Sequence, residues 1–455
     1  MNMARYAQTA VLVLAALFVV FGTQVERLGD TANSRLATVF SLVHRGTWCI
    51  DTPPGEARNP FEPGTVDKVE VRGRIISSKP PLLPLLMTGE YVVLRAVFGW
   101  TLPEQPLNAV EEDARPTSSP EAWVLKQIVY VMTVSLVGFS YLLTLFFFAR
   151  TLGLFIEAPW ERVVALAAVA WATQLPGLAT DLNNHIPGAG MLMVSLYLGL
   201  GLGSGKLAPS PWRFTCFGLT AALVFTIDMP LTIFAAFAGS YLLVKFPRQA
   251  LVWSGLGAAL PLAVHFAVMV AVTGSPLPVQ TRDALYLYEG SWWRNPGGID
   301  ALNEPKGLYL LHMTFGRKGL FLLFPILLLG LFQGLRALVS RVPNRAYLLG
   351  GLAAFAVLTA YYVKSTNNYG GASYGFRWYV GAMPVLMLMG ALWMVDARQM
   401  WKRGVVALLL VVSAFSAWES FRHPWGTGQE WTSRWIWSNG RNGPNGSNGH
   451  EGQDG

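Results

Sequence analysis

Long apolar stretches recur along the whole chain, and they constrain its fold more than any other feature. Of the 455 residues, 53% are hydrophobic and only 13% are charged, whereas about a quarter of the residues of a soluble protein are charged. A helix of about 20 apolar residues crosses the hydrocarbon core of a bilayer. The sequence therefore predicts an all-α polytopic membrane protein rather than a large soluble domain.

Hydropathy divides the chain into about eleven predicted transmembrane helices within one transmembrane domain, residues 1–418. We interpret the first apolar segment as a retained span, because it has a weak basic flank and no clear cleavage site. The two cysteines, Cys49 and Cys216, fall in a loop and a span and are not expected to pair. The predicted spans are residues 8–23, 127–148, 160–179, 187–203, 212–227, 229–245, 250–273, 319–335, 346–363, 377–396 and 404–418.

The basic residues of the short loops predict the orientation. They all fall on one side of the membrane if the N-terminus is cytoplasmic, and the positive-inside rule then gives a cytoplasmic N-terminus and an external C-terminus in a bacterial plasma membrane. The net charge of +8 is thus a topology signal, and no nucleic-acid partner is expected. These residues are Arg150, Arg162, Lys206, Arg213, Lys245, Arg248, Arg336, Arg341, Arg345, Arg398, Lys402 and Arg403.

Every large polar loop is external in this topology: residues 24–121, 274–318 and 364–376, and the tail 419–455, which we expect to be disordered from about residue 439. Two segments of the first loop are expected to lie in the membrane interface. Residues 34–45 have apolar side chains at helical spacing, with Asn33 as the expected N-cap. Residues 82–100 are apolar but contain Pro84, Glu90 and Arg95, so we place them in the interface or against the bundle rather than across the membrane.

The first loop concentrates charge in an otherwise apolar chain. Its carboxylates include Asp30 and Asp51, and its cations include Arg35 and Lys79. A sugar transferase needs a carboxylate to take a proton from an acceptor hydroxyl and cations to neutralise a leaving phosphate. Solvated loop charges are an equal alternative for each residue. Asp51 stands out because it follows the apolar, aromatic residues 48–50.

Two external turns between spans also have chemical potential. Residues 180–185 bring together Asp181, Asn184 and His185, either as a helix-capping turn or as ligands of a substrate or a divalent metal. Asp228 lies between two short spans, where an ionisable residue near hydrocarbon is a functional candidate. Its position at a hairpin tip weakens that argument.

The later external loops combine aromatic residues with cations. Arg317 and Lys318 precede a span, and residues 367–378 form a glycine-loosened turn that includes Asn368 and Tyr369 and ends with Arg377. Such groups suit sugar stacking and lipid-phosphate binding, and they equally suit an interfacial belt. The turn lacks the ending of a Walker-type nucleotide loop.

The order of these parts resembles the GT-C superfamily of membrane glycosyltransferases, in the bacterial branch related to protein O-mannosyltransferases and lipid A aminoarabinose transferases. The resemblance rests on an external amphipathic segment (34–45), a glycine–aromatic turn (45–48) and the motif Lys79-Pro80-Pro81-Leu82. It covers roughly the first hundred residues by motif, and the remainder by hydropathy alone.

This resemblance implies an inverting transferase that moves a sugar from a polyprenyl-phosphate donor to a lipid, glycan or protein acceptor. Donor phosphate would lie near Lys79, Arg317, Lys318 and Arg377. The family's acidic pair at the start of the amphipathic helix is Asn33-Ser34 here, so Asp51 or Asp30 becomes the candidate base. Asp181 stands at the place of a second family acid and would orient the acceptor or a metal.

A second class of function is a non-catalytic membrane protein, either a lipid or polysaccharide transporter or a degenerate GT-C scaffold in envelope assembly. Many transporters contain repeated halves and helices broken at mid-membrane. The sequence shows no clear repeat, and its charges gather outside the predicted spans. These observations favour the enzyme.

Overall fold

The computed structural model describes residues 2–25, 28–53, 55, 58–104, 119–395 and 399–437. Helices dominate this part of the chain, with one short β-hairpin. The helices are α1 (Asn2–Gly22), α2 (Asp30–Arg45), α3 (Leu82–Phe98), α4 (Pro120–Met132), α5 (Phe139–Phe155), α6 (Pro159–Trp171), α7 (Leu175–Ala179), α8 (His185–Gly203), α9 (Pro211–Ile227), α10 (Thr232–Lys245), α11 (Pro247–Gln249), α12 (Gly255–Thr273), α13 (Lys306–Thr314), α14 (Leu320–Leu323), α15 (Leu328–Val339), α16 (Arg345–Ser365), α17 (Met383–Val395) and α18 (Met400–Arg422), and the strands are β1 (Lys68–Val71) and β2 (Arg74–Ser77).

The predicted all-α polytopic fold class is confirmed. Within the described residues, seven helical segments are long and apolar enough to cross a membrane, and three shorter apolar helices accompany them. A π-helical turn joins α4 to α5, and another joins α11 to α12, so each pair forms one long segment. The predicted span 160–179 consists of α6 and the five-residue α7. The predicted disorder after residue 439 lies outside the described residues.

The chain divides into two compact units, and each is described by itself. The first contains Met1–Pro159 and Leu178–Arg294. Its centre is α8, which packs against α5, α9 and α10, while α12 packs on α9. Gly218 of α9 and Gly257 of α12 allow this last contact, because a Cβ at either position would collide with the backbone of the facing helix. Small residues let membrane helices approach closely in this way.

The first loop folds around α2. Every residue of α2 from Ser34 to Ser41 is buried, so the helix is enclosed on all sides over these two turns, and it packs against α3 and β2. The antiparallel hairpin β1–β2 pairs Lys68 with Ser77, and its apolar side packs on Val279. The hairpin was not predicted, because two four-residue strands give little periodic signal.

The start of α2 differs from the prediction. The helix begins at Asp30, after Gly29, and no side chain caps it. Asn33 lies inside the first turn and donates from Nδ2 to the carbonyl oxygens of Leu28 and Gly64. The predicted N-cap at Asn33 is therefore wrong, because its amide binds the neighbouring loop.

The second unit contains Trp160–Gly177 and Asn295–Gly455. Helix α15 packs against α16 and α17, and α17 is buried along most of its length. The chain after α18 returns to the loop before α17: Tyr374 N–H donates to the carbonyl oxygen of Pro424, and Gly426 N–H donates to that of Ala372. The described part of the tail is therefore folded against this unit.

Candidate functional site

A buried arginine on α2 joins the first loop to the turn before α8. Arg35 is 0% exposed. Its Nη1 donates to the carbonyl oxygen of Thr31 at 2.8 Å, and its Nη2 donates to Oδ1 of Asn184 at 2.7 Å. A buried guanidinium is costly unless it is hydrogen-bonded. These contacts therefore connect two of the predicted substrate-binding residues, Arg35 and Asn184.

The turn at residues 180–185 contains the helix-capping contact that was one of the two alternatives, and ligation of a substrate or a metal stays a prediction. Asn183 caps α8, because its Oδ1 accepts from the N–H of Ile186 at 3.1 Å. Asn184 instead uses its side chain between elements and donates from Nδ2 to the carbonyl oxygen of Ile227 at 3.2 Å. Asp181 is buried in the same turn. The capping role thus belongs to Asn183, and Asn184 links α2 to the end of α9.

The first residue of α8 is hydrogen-bonded to the tip between α9 and α10. His185 Nδ1 lies 2.8 Å from Oδ2 of Asp228, and both residues are 7% exposed. Gly188 makes this approach possible, because a Cβ there would lie 2.7 Å from Cβ of Asp228. We call Arg35, Asn184, His185 and Asp228 the α2 cluster.

Asn33-Ser34 stands where the family has its acidic pair, and Ser34 contacts the β1–β2 hairpin. Ser34 Oγ donates to the carbonyl oxygen of Asp67 at 2.7 Å and lies 2.6 Å from Oγ of Ser77. Lys79 Nζ forms an ion pair with the Asp67 carboxylate at 2.7 Å. Lys79 therefore lies on the hairpin segment that rests against the start of α2.

The two predicted bases of the first loop have local partners. Asp30 Oδ1 accepts from the N–H of Val66 at 3.0 Å. Asp51 accepts from Nε of Arg74 at 2.7 Å and from Nη2 at 3.1 Å, and this pair is partly exposed. Both carboxylates thus hold loop segments, and no contact in the described residues links Asp51 to the α2 cluster. The predicted role of either carboxylate as the base stays a prediction.

In the second unit, Lys318 is held by an internal acid. Its Nζ lies 2.6 Å from Oε1 of Glu430 and donates to the carbonyl oxygen of Ser373. Glu430 is 0% exposed and also accepts from the N–H of Gly375 at 2.9 Å. This ammonium is paired with a buried carboxylate inside the unit, and the predicted contact of Lys318 with phosphate stays a prediction.

The other predicted residues of this unit surround the loop before α17. Asn368 donates from Nδ2 to Asp300 at 2.9 Å, and Tyr369 donates to Glu304. Burial raises the pKa of the Tyr369 phenol, and the Glu304 carboxylate raises it further, so the phenol remains a donor. The Arg377 guanidinium lies 5.2 Å from the ring centroid of Trp425.

Arg317 contributes its backbone to the same region. Its N–H donates to Nδ1 of His312 at 3.3 Å, and its carbonyl oxygen accepts from Thr432. Burial lowers the pKa of His312, and Arg317 lowers it further against the opposing effect of Glu304. The imidazole is therefore favoured as the neutral acceptor in this contact.

Sequence reasoning gave too little weight to two residues. Asp228 was judged by its hairpin-tip position, and only the fold brings it to His185. Glu430 lies in the external tail before the part that was expected to be disordered, and no role was predicted for it. Among the described residues, no group of three or more His, Cys, Asp or Glu side chains could hold a metal ion.

The fold is similar to that of a solved bacterial membrane protein. ArnT from Cupriavidus metallidurans, bound to undecaprenyl phosphate, superposes with a TM-score of 0.50 at 13% identity, over 88% of this chain and 62% of that chain. This chain thus spans about three fifths of the length of ArnT. At this identity the likeness concerns the fold, and it agrees with the predicted polytopic architecture.

Two further structures superpose more loosely. The apo form of the same ArnT gives a TM-score of 0.49 at 14% identity, over 89% of this chain and 62% of that one. The Archaeoglobus fulgidus oligosaccharyltransferase, tethered to an acceptor peptide, gives 0.47 at 15% identity, over 97% and 58%. No protein-family model and no curated protein matches the chain.

Proposed function

From the premise that this chain has the GT-C fold, we propose that it transfers a sugar from a polyprenyl-phosphate donor to an acceptor at the external face of a bacterial plasma membrane. The observation that carries the proposal is the Arg35–Asn184 contact. It brings the amphipathic helix of the first loop onto the polar turn before α8 within that fold. A buried cation, a buried acid and an imidazole are thereby collected on one side of the bundle.

Several contacts within the first unit support a common membrane face for this site. Gln24 N–H donates to the carbonyl oxygen of Thr180 at 2.9 Å. Trp293 Nε1 donates to the carbonyl oxygen of Val66 at 2.8 Å. The first loop therefore meets both the 180–185 turn and the segment after α12, as expected if all three are external.

We assign the donor phosphate to Lys79. Its side chain is 18% exposed and its ammonium is paired with Asp67. A phosphate would take the place of the Asp67 carboxylate as partner of the ammonium, or bind the ammonium beside it. Arg35 is fully buried and is proposed to hold α2 in place and to supply positive potential. Arg317 and Arg377 remain proposed phosphate or headgroup contacts in the second unit, with Asn368 and Tyr369 as sugar contacts.

Asp181 is proposed to orient the acceptor. An inverting transfer needs the acceptor oxygen to attack the anomeric carbon opposite the phosphate, and a buried acid can hold a hydroxyl in that direction. The resemblance also allowed a divalent metal here. Because the described residues contain no metal-binding group of three, the proposed mechanism includes no metal.

The test is sugar transfer by the purified protein in lipid nanodiscs. The probes are labelled undecaprenyl-phosphate sugars, with total envelope lipid and glycan as acceptors. We expect Lys79→Met to lower the rate by about 10²-fold or more, because a cation that stabilises a leaving phosphate is worth several kcal/mol. Lys206→Met is the matched control, since Lys206 lies in the loop after α8 and is expected on the opposite face.

One observation favours the non-catalytic alternative: the Asp30 and Asp51 carboxylates already accept hydrogen bonds from Val66 and Arg74. It predicts that the protein binds undecaprenyl phosphate and yields no labelled product with any donor and acceptor. The same assay, read with a parallel binding measurement, separates the two functions. Absence of product with retained binding would overturn the enzyme.

A further inference from the structure

The α2 cluster contains an imidazole–carboxylate pair that the proposed reaction has not yet used. His185 and Asp228 are 43 positions apart in the sequence, and each is almost fully buried. The pair lies next to Asn184, which binds Arg35. A carboxylate of Asp228 accepts the hydrogen bond, so Nδ1 of His185 carries the proton and Nε2 is the basic nitrogen.

This arrangement has the chemistry of an oriented base. An acid bound to one ring nitrogen fixes the tautomer and the direction of the ring. It also stabilises the imidazolium that forms when the other nitrogen takes a proton. The two candidate carboxylates of the first loop have other partners: Asp30 accepts from the N–H of Val66, and Asp51 accepts from Arg74.

We propose that His185 is the catalytic base of the transfer and that Asp228 is its positioning residue. The inference rests on the proposed function. The acceptor O–H proton moves to Nε2 of His185, and the acceptor oxygen forms a bond to the anomeric carbon. The bond between that carbon and the phosphate oxygen breaks, and its electron pair leaves with the phosphate. The imidazolium then returns its proton to water or to the released phosphate.

The charged groups on the elements that meet this pair are consistent with the role. Arg35 reaches the turn from α2 through Asn184, and Asp181 lies in the same turn as His185. The His185–Asp228 pair is thus accompanied by one basic residue, Arg35, and one acidic residue, Asp181. In this assignment Asp181 orients the acceptor hydroxyl, while His185 takes its proton.

A purely structural role is the competing explanation, since the His185–Asp228 hydrogen bond also connects α8 to the tip between α9 and α10. The two roles differ in what a conservative substitution changes. In Asp228→Asn the amide oxygen can still accept from Nδ1, so the geometry is kept while the charge is lost. A structural pair would tolerate this change, whereas an oriented base would lose its electrostatic support.

The experiment compares His185→Gln, Asp228→Asn and His265→Gln in the nanodisc transfer assay. His265 is a matched control, because it is a buried histidine of the same unit in contact with the Phe225 ring. We expect both cluster variants to lose about 10²- to 10⁴-fold in turnover, the usual contribution of a general base. Binding of undecaprenyl phosphate and the midpoint of thermal unfolding should match those of His265→Gln. The wild-type rate should fall at acidic pH as the imidazole is protonated, and His185→Gln should lack that dependence.

The outcomes separate the two proposals. A wild-type protein with no transfer overturns the function and the base together. Transfer by wild type with His185→Gln within about threefold of it overturns only the base, because a loss that small removes no transition-state contact. Asp228→Asn can also overturn the base. This is the result if its loss of turnover is accompanied by lost binding of undecaprenyl phosphate and a lowered unfolding midpoint, which indicate a structural pair. If His185→Gln does not fold, His185→Asn and Asp228→Asn provide the same comparison.

Discussion

At the scale of single residues, a charged side chain acquires its role from its partner. Asp51 and Asp181 are both aspartates in polar turns, yet Asp51 pairs with a partly exposed arginine and Asp181 is buried. Arg35 is buried and binds an amide on another element. Exposed ion pairs contribute little to stability because water and salt screen them, whereas buried polar contacts are costly to break.

A double-mutant cycle on Arg35 and Asn184 tests this difference. We expect a coupling energy of roughly 0.5–3 kcal/mol between Arg35→Met and Asn184→Ala, because either substitution removes the hydrogen bond between the buried guanidinium and the part-buried amide. The measurement is reversible unfolding in mild detergent.

The matched control for that cycle is the exposed pair of Arg74 and Asp51, in which Arg74→Met and Asp51→Ala should couple by about 0.2–1 kcal/mol. A coupling at Arg35 no larger than at Arg74 would contradict the structural role given to Arg35.

At the scale of elements, α2 and α3 are joined by a hydrogen bond that depends on pH. His44 Nε2 lies 3.0 Å from the hydroxyl of Tyr91, and that hydroxyl accepts from the N–H of Leu102 at 2.9 Å. Nε2 of a neutral imidazole can accept the Tyr91 proton, whereas a protonated imidazole can only donate. Burial lowers the pKa of His44, and Arg95 and Arg45 lower it further, while Glu104 opposes them.

This shift predicts a loss of stability in acid. The unfolded chain binds the His44 proton at an ordinary pKa of about 6.5, and the folded protein binds it only at lower pH. The stabilisation is thus complete above about pH 6.5 and is lost as the pH falls through the folded pKa. We expect the unfolding midpoint of wild type to fall more between about pH 7.5 and pH 5 than that of His44→Gln. Equal slopes for the two proteins would show that His44 is not responsible.

Close helix packing at Gly188 gives a second prediction at this scale. Gly188→Ala should force α8 away from the Asp228 tip, because the added Cβ would lie 2.7 Å from Cβ of Asp228. Overpacking of this kind costs about 1–3 kcal/mol, and we expect a lower unfolding midpoint.

Gly255→Ala is the control for Gly188→Ala. Position 255 begins α12 and has nothing within 4 Å of an added Cβ, so the substitution should be neutral or stabilise by up to about 1 kcal/mol. Equal unfolding midpoints for the two variants would contradict the packing argument.

At the scale of the whole molecule, contacts within the first unit restrict the membrane topology. The Arg35–Asn184 and Gln24–Thr180 contacts require an even number of crossings between the first loop and residue 180. Two crossings result if segment 120–155 and the predicted span 160–179 each cross once. This count favours an α3 that lies along the interface, as its Glu90 and Arg95 indicate.

Cysteine labelling of intact cells tests that topology. In a background with Cys49→Ala and Cys216→Ala, we expect a membrane-impermeant maleimide to label Glu104→Cys and Glu289→Cys. It should not label Lys206→Cys, which the positive-inside rule assigns to the cytoplasm. All three positions are exposed. A different pattern would mean that α3 crosses the membrane: position 206 labelled in intact cells, and position 104 labelled only after the cells are opened.

Much of the fold followed from the sequence because its signal is local. Apolar runs near the thickness of a bilayer predicted the long helices. In α2 the apolar residues Leu36, Val39 and Phe40 are buried, but the polar residues between them are buried as well, which the apolar spacing did not predict. The helix at 82–98 was also foreseen as a separate segment. The hairpin was not, and the N-cap of α2 was misplaced by four residues, at Asn33 instead of Gly29, because Asn33 binds a loop distant in sequence.

The candidate site was only partly predictable, because its chemistry depends on which distant residues meet. By itself the sequence determined a polytopic helical membrane protein, a polar first loop and the residue types available for catalysis, since hydropathy and composition are properties of neighbouring residues. Only the tertiary structure decided that Arg35 binds Asn184, that His185 pairs with Asp228 and that Asp51 and Lys318 are neutralised by local partners. Charges act through distances of a few ångströms, and the fold alone sets those distances between residues far apart in the chain.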